Sequence, residues 1–251
     1  MRPNPRPGSG KSVVQALDLP PPYRLITLRE IGDAFAHAQS VAAEEGAGTL
    51  VYVGRFDMAE FAVVLEPDEP LVTARRAIYA GMNAMADALS VHAPPEKPVT
   101  IDWPDTFRVD GGLVGGGRLA WPKGAAEDQV PDWLVFGGMI RTVSMTADAG
   151  LFPLETALDQ EGFEEHGAAS LVESFARHLM VAIDTWQQDG FDTLIKDYLA
   201  RLSPEKGARR AIEQHGDLLI RWTASDQMDR KVLVPALETP SWYDAERGGP
   251  R

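Results

Sequence analysis

Apolar residues along the chain follow two different periods, and the alternation between them predicts an α+β fold. From Ile31 to Gly46 they recur every three or four positions, which predicts an amphipathic helix. Runs rich in β-branched and aromatic residues at 49–53 and 61–65 predict two strands. An apolar stripe from Leu71 to Leu89 predicts one long helix. The first part of the chain is therefore expected to contain both helices and strands.

The stretch from Val99 to Gly117 predicts a tight β-hairpin. It breaks at Pro104, resumes as a strand and turns at Asp110-Gly111. The three glycines at 115–117 carry no Cβ, so another backbone or a flat ligand could lie directly on this strand. A bulged hairpin with a glycine kink accounts for the same pattern.

The second half of the chain begins with a strand at 133–136 that runs into Gly137 and Gly138. Two adjacent glycines here, together with the earlier triplet, favour a flat ligand between the two strands. Apolar spacing then predicts two helices, at 171–186 and 194–202, which are separated by Gly190.

Beyond Ser203-Pro204 the composition changes, and short β runs at 217–222 and 231–234 flank a polar turn at 226–230. These runs predict a small C-terminal β domain. The Pro-rich and Gly-rich start of the chain predicts a flexible extension. The predicted divisions are an extension (1–22), a main domain (23–202), the small β domain (203–243) and a loose tail (244–251).

Three of these segments resemble motifs of the biotin protein ligases and the related lipoate ligases. That family has a Lys-Trp-Pro-Asn-Asp turn followed by a hairpin and a Lys-x-Ala-Gly strand, and Trp103-Pro104 and Val114-Gly115-Gly116 stand in register with it. The run from Gly137 to Arg141 is similar to the family's Gly-x-Gly-Ile-Asn strand. The run from Trp186 to Phe191 is similar to its Trp-x-x-x-Gly-Phe element.

The departures from these motifs fall on polar and charged positions. Asp102 and Leu113 stand where the ligases have lysines, and Asp105-Thr106 replaces Asn-Asp. Where the family has a long Gly-Arg-Gly-Arg loop, only Gly54-Arg55 resembles it. Because acyl-adenylate chemistry passes through anionic oxygens, the ligases need fixed cations at these positions.

The resemblance implies an α+β fold, with a mixed or antiparallel sheet flanked by helices as in the catalytic domains of these ligases. The ligand that it implies is a small carboxylic acid of the biotin or lipoate type. It also implies a biotin or lipoyl carrier domain as partner and allows a homodimer, whereas the missing lysines argue against ATP. The candidate ligand-binding residues are Arg55, Trp103, Asp105, Val114, Gly115, Gly116, Gly117, Gly137, Gly138 and Arg141.

Three functions remain open at this point. The chain is a binding protein that holds the acid without adenylating it, which the missing lysines favour. Alternatively, it is an altered ligase in which Arg55, Arg108, Arg118 or Arg141 replaces the lysines. In the third interpretation, its own side chains fill the old pocket, among them Trp103, Leu113 and Met139.

Composition narrows the choice of partners and compartment. The formal net charge of −13 argues against nucleic acid and anionic membranes, whose phosphates the surface would repel. The chain contains no cysteine, so it lacks the nucleophile of the family's octanoyl transferases. No run reaches the roughly 20 apolar residues that cross a bilayer, and the start lacks an apolar signal core, so we predict a cytoplasmic protein.

Overall fold

A computed structural model of the chain describes residues 17–145, 154–163, 167–225 and 227–251. Most of the predicted extension, up to residue 16, lies outside the described residues. Its last part does not extend into solvent, because Leu17 and Leu19 pack against the main core.

A seven-stranded mixed sheet forms the centre of the molecule. Its strands are β1 (Arg24–Leu28), β2 (Thr49–Val53), β3 (Met58–Leu65), β4 (Val99–Asp102), β5 (Thr106–Val109), β6 (Gly112–Ala120) and β7 (Leu134–Arg141). Their order across the sheet is β1-β2-β3-β7-β6-β5-β4, and β1 runs parallel to β2 while the other neighbours are antiparallel. The predicted hairpin and both glycine strands therefore lie side by side, which confirms the α+β fold class.

Helices pack against both faces of this sheet. They are α1 (Ala34–Glu45), α2 (Leu71–Ala74), α3 (Ala77–His92), α4 (Ala168–Asp189), α5 (Phe191–Arg201) and α6 (Leu233–Glu238). On the inner face, Phe61 and Phe136 meet Phe175 of α4, with ring centroids 4.4 and 5.6 Å apart. On the outer face, α1 packs over the first strands through its small buried alanines. Among the described residues, no helix combines the length and the apolar character that crossing a membrane requires.

Two helix predictions need correction. The first helix begins at Ala34, because the Asp33 carboxylate caps it by accepting from the Ala36 amide at 2.9 Å. Ile31 precedes the helix and is 98 % exposed. The predicted long helix is divided into α2 and α3 at residues Arg75 and Arg76. At this break the Arg75 guanidinium pairs with the Glu127 carboxylate at 2.5 Å.

The small C-terminal β region is present, with different strand bounds. A three-stranded antiparallel sheet contains β8 (Ala208–Ile212), β9 (Leu218–Trp222) and β10 (Met228–Lys231), in the order β10-β9-β8. Strand β8 was not predicted, since its two arginines and its exposed positions hide the alternation. Residues 228–230, predicted as part of a turn, belong to β10. The predicted strand at 231–234 is divided, because Lys231 ends β10 and Leu233 begins α6, in which Leu233 and Leu237 are buried.

The predicted loose tail is also corrected. Residues 243–244 and 249–250 form two short antiparallel strands, β11 (Tyr243–Asp244) and β12 (Gly249–Pro250). We call residues 239–251 the C-terminal strap. It lies on the outer face of the main sheet, beside α1, and its Trp242 is 0 % exposed.

Candidate functional site

A cleft of about 880 Å³ opens on the outer face, where the sheet, α1 and the C-terminal strap meet. Phe35 lines it from α1, Arg118 from β6, and Tyr243 and Asp244 from the strap. These positions converge because β6 turns every second side chain outward, while α1 and the strap cover neighbouring parts of the same face. The cleft therefore has an arginine on its floor and aromatic rings on two sides.

The Arg118 guanidinium lies between two aromatic rings. Its Cζ is 4.4 Å from the Phe35 ring centroid and 4.5 Å from that of Tyr243, so both rings stabilise the cation through their π faces. Gly137 stands opposite Arg118 in the sheet, and a Cβ there would come within 2.5 Å of the Phe35 ring. The glycine thus leaves room for the ring on which the arginine stacks.

Arg118 lacks a hydrogen-bond acceptor among the residues that the structure describes. Its nearest described carboxylate belongs to Asp33, 4.0 Å away, and the Arg118 side chain is 14 % exposed. A guanidinium carries five N–H donors in a planar fork that matches a carboxylate. This cation is therefore largely withdrawn from water and available to an anion in the cleft.

Arg55 is neutralised by neighbouring acids. It donates to the Asp57 carboxylate at 3.0 and 2.8 Å and lies 3.7 Å from Glu60. Glu60 is buried and accepts from the amide of Ala34 at 3.1 Å, so it occupies the start of α1 together with Asp33. Burial raises the pKa of Glu60 despite the nearby arginines. Neither Arg55 nor the first turn of α1 is left to receive a phosphate.

Two further arginines are engaged elsewhere. Arg141 donates to the main-chain oxygens of Pro250 and Arg251 at 2.9 and 3.0 Å, so it fastens the strap to β7. Burial lowers the pKa of its guanidinium. Arg108 donates to the Asp102 carboxylate at 2.5 Å and to the Gly111 carbonyl at 2.9 Å.

The space above the predicted glycine strands is occupied by the chain itself. A Cβ on Gly115 would come within 1.9 Å of the Met139 carbonyl oxygen, and one on Gly116 within 2.3 Å of the Trp242 indole. Gly117 and Gly138 face the inner core, and Gly137 faces α1. Their nearest side chains belong to Met82, Phe61 and Phe35, respectively. A flat group does lie on this strand, but it is an indole of the same chain.

The remaining predicted residues lie away from the cleft. Trp103 follows β4, precedes a cis peptide bond to Pro104, and donates its indole N–H to the Tyr79 hydroxyl at 3.0 Å. Val114 is fully buried in the main core.

Asp105 is also buried, with 1 % exposure. Its Oδ1 accepts from the Thr106 hydroxyl at 3.3 Å, and its Oδ2 lacks a partner among the described residues. Burial raises the pKa of Asp105 to about 7.

Sequence reasoning missed Phe35 and the strap and did not separate Arg118 from the other arginines. The signal for the strap was available, because Trp242-Tyr243 is an aromatic pair within an otherwise polar ending. Aromatic residues side by side in a polar segment often bury one ring, since each ring removes a large apolar area from water.

Known structures share this architecture. A biotin protein ligase-like protein of unknown function from Silicibacter sp. TM1040 is 28 % identical; the alignment covers 88 % of this chain and 99 % of that one, with a TM-score of 0.76. Biotin protein ligase from Aquifex aeolicus, in complex with biotin and ATP, is 13 % identical (coverage 83 % and 95 %, TM-score 0.61). The Leishmania major enzyme in complex with biotinyl-5-AMP is 14 % identical (coverage 85 % and 99 %, TM-score 0.54).

A comparison of sequences agrees with the fold. No curated protein sequence matches the chain significantly. The model of the biotin/lipoate A/B protein ligase family matches residues 19–200, which include the whole main sheet, helices α1 to α4 and all but the last residue of α5. The chain therefore belongs to the biotin/lipoate A/B protein ligase family.

Proposed function

We propose that this protein binds a small carboxylic acid of the biotin or lipoate type in the outer cleft, without adenylating it. The observation that carries the proposal is the Arg118 guanidinium, which faces the cleft with no acceptor among the described residues. A carboxylate can accept two parallel hydrogen bonds from such a fork. The acid's apolar body would then lie against the Phe35 and Tyr243 rings.

The charges around the cleft support a single carboxylate over a nucleotide. A triphosphate needs several cations or N–H donors aimed at its oxygens. Arg55, Arg108 and Arg141 are each engaged by carboxylates or carbonyls, and Asp33 and Glu60 occupy the first turn of α1. Of the four candidate arginines, Arg118 alone has no hydrogen-bonded acceptor among the described residues, and its planar fork matches one carboxylate. The same cleft is also lined by two further arginines and four carboxylates: Arg247, Arg251, Glu155, Glu238, Asp244 and Glu246.

The size of the cleft and the family both favour this class of acid. A cleft of about 880 Å³ lies within the range of sites that bind small molecules. The Aquifex aeolicus relative was solved with biotin and ATP, which makes biotin the first acid to test. Binding of a carrier domain and formation of a homodimer stay predictions.

Changing Arg118 to glutamine is expected to weaken acid binding about 10- to 100-fold, since a hydrogen bond to a charged group contributes roughly 1.5–3 kcal/mol. Titration calorimetry of the wild type and the variant with biotin, lipoate and octanoate measures this loss. Arg108→Gln is the matched control, because Arg108 already pairs with Asp102 and should leave affinity unchanged. Equal affinity in wild type and Arg118→Gln would refute the role of Arg118.

The altered-ligase alternative makes a different prediction. A ligase forms an acyl-adenylate reversibly, so it exchanges labelled pyrophosphate into ATP when the acid is present. We expect no exchange with any of the three acids. Exchange that disappears in Arg118→Gln would favour the alternative, in which Arg118 has taken over the work of a lysine.

A further inference from the structure

We propose that the C-terminal strap positions Arg118 for acid binding, with Trp242 as the anchor of the strap and Tyr243 as the residue that holds the guanidinium. This inference rests on the proposed function, because it concerns the same cleft. Neither residue is assigned direct contact with the carboxylate. Both are positioning residues that act through Arg118.

Trp242 anchors the strap in a socket on the outer face. Its indole is 0 % exposed, packs with Met58, Leu113 and Met139, and donates its N–H to the Gly117 carbonyl at 3.2 Å. The socket exists because Gly116 has no side chain at the point where the indole lies. Burial of a whole tryptophan removes roughly 150–250 Å² from water, so this contact is a strong attachment.

A second attachment fixes the far end of the strap. The two carbonyls that accept from Arg141 belong to Pro250 and Arg251, and the Arg251 amide donates to the Trp242 carbonyl at 2.8 Å. Strands β11 and β12 pair between these two points. The strap is therefore held at both ends, which fixes the position of Tyr243 between them.

Tyr243 then determines what Arg118 can do. With the Tyr243 ring in place, the guanidinium is confined between two rings, and its Nη2 lies 4.0 Å from the Asp33 carboxylate, beyond hydrogen-bonding distance. Without that ring, the arginine gains the freedom to rotate toward Asp33 and turn this long ion pair of 4.0 Å into a hydrogen-bonded one. An internal carboxylate would compete with the bound acid, so the strap preorganises the site by preventing this pairing.

The proposal requires that acid binding and strap docking stabilise each other. A ligand that binds the docked form alone lowers the population of the undocked form by a factor of about 1 + [L]/Kd. At a hundred times Kd, hydrogen exchange at the Arg251 amide should therefore slow about 100-fold. If the strap were a cover that the acid displaces, the same amide would exchange faster.

Two variants test the positioning role. Tyr243→Leu removes one of the two aromatic faces and should weaken biotin or lipoate binding about 10-fold, which corresponds to about 1.4 kcal/mol of lost cation–π stabilisation. Tyr243→Phe keeps the ring and should bind like the wild type. If the Tyr243 hydroxyl were the group that matters, this variant would lose affinity as well. Trp242→Ala should release the strap and lower affinity at least as much.

The outcomes separate this inference from the proposed function. The positioning role would be overturned if Tyr243→Leu bound the acid with full affinity. It would also be overturned if the acid left hydrogen exchange at the Arg251 amide unchanged or accelerated it. Either result would leave the proposed acid site intact. Should Trp242→Ala fail to fold, the tyrosine pair and the exchange measurement still decide. A wild type that binds none of the three acids would remove both proposals.

Discussion

Replacing Asp105 with asparagine is expected to raise the free energy of unfolding at pH 8 by up to about 4 kcal/mol. Burial raises the pKa of this carboxyl from 3.8 to about 7 in the folded protein. Between about pH 4 and pH 7 the folded state therefore keeps a proton that the unfolded state has released, and each unit of pKa difference makes the ionised protein at pH 8 about 1.4 kcal/mol less stable. Asparagine is neutral at every pH and removes this penalty.

The sign of the effect depends on pH. Below about pH 4 the carboxyl is protonated in both states, so the wild type and Asp105→Asn should have similar stability. As the pH rises from about 4 to about 7, the wild type should lose stability relative to the variant, and above that range the gap should stay constant. Urea unfolding at pH 4, 6 and 8 measures the gap.

An exposed aspartate provides the control. Asp128 lies in a surface turn, so Asp128→Asn should change stability little at any of these pH values. If Asp105→Asn is no more stable than the wild type at pH 8, other groups in the folded protein must stabilise the buried carboxylate and offset the cost of its burial. Asparagine is also the residue at this position in the ligase motif, so the change restores a side chain that the fold accommodates.

Much of the fold could be predicted from the sequence, because in those elements the local apolar pattern and the long-range packing favour the same structure. The hairpin from β5 to β6, the turn at Asp110-Gly111 and the two helices around Gly190 have the predicted bounds to within a few residues. Each has a strong apolar period and a glycine with positive φ where the chain turns: Gly111 at 84° and Gly190 at 84°. The errors lie where the apolar period is weak, as in β8 and α6.

The site was harder to predict because its parts are far apart in sequence. Phe35, Arg118 and Tyr243 come from a helix, a strand and the strap, and no local pattern connects them. The alternation of β6 places Gly116 and Arg118 on one face, but it does not say which segment will cover that face. The four candidate arginines were equivalent in sequence, and the carboxylates and carbonyls that neutralise three of them became evident only in the fold.

The glycines illustrate how one pattern serves two purposes. The triplet at 115–117 permits close approach, as predicted from the missing Cβ atoms. What approaches is the neighbouring strand at Gly115, the indole of Trp242 at Gly116 and the inner core at Gly117. The strand therefore holds part of the protein where the sequence predicts a ligand, and the proposed acid site lies two residues further along β6, at Arg118.

Replacing Gly115 with alanine is expected to destabilise the protein by roughly 4 kcal/mol or more. The added Cβ would lie 1.9 Å from the Met139 carbonyl oxygen and 2.9 Å from its carbon, so the β7 backbone would have to move. Gly115 also has φ at 151°, where an L-residue is strained. Both penalties fall on the β6–β7 pairing that carries Arg118 and the strap socket, so we expect unfolding or poor accumulation of soluble protein.

Gly111→Ala separates the two penalties. Gly111 has φ at 84°, but a Cβ there would meet nothing within 4 Å, so this variant should lose only about 1–2 kcal/mol. Urea unfolding measures the loss of stability in both variants, and the difference between the two losses is the contribution of the close contact with Met139. A Gly115→Ala protein that is as stable as Gly111→Ala would mean that β6 and β7 can separate locally, in which case the glycine strand retains room for a ligand after all.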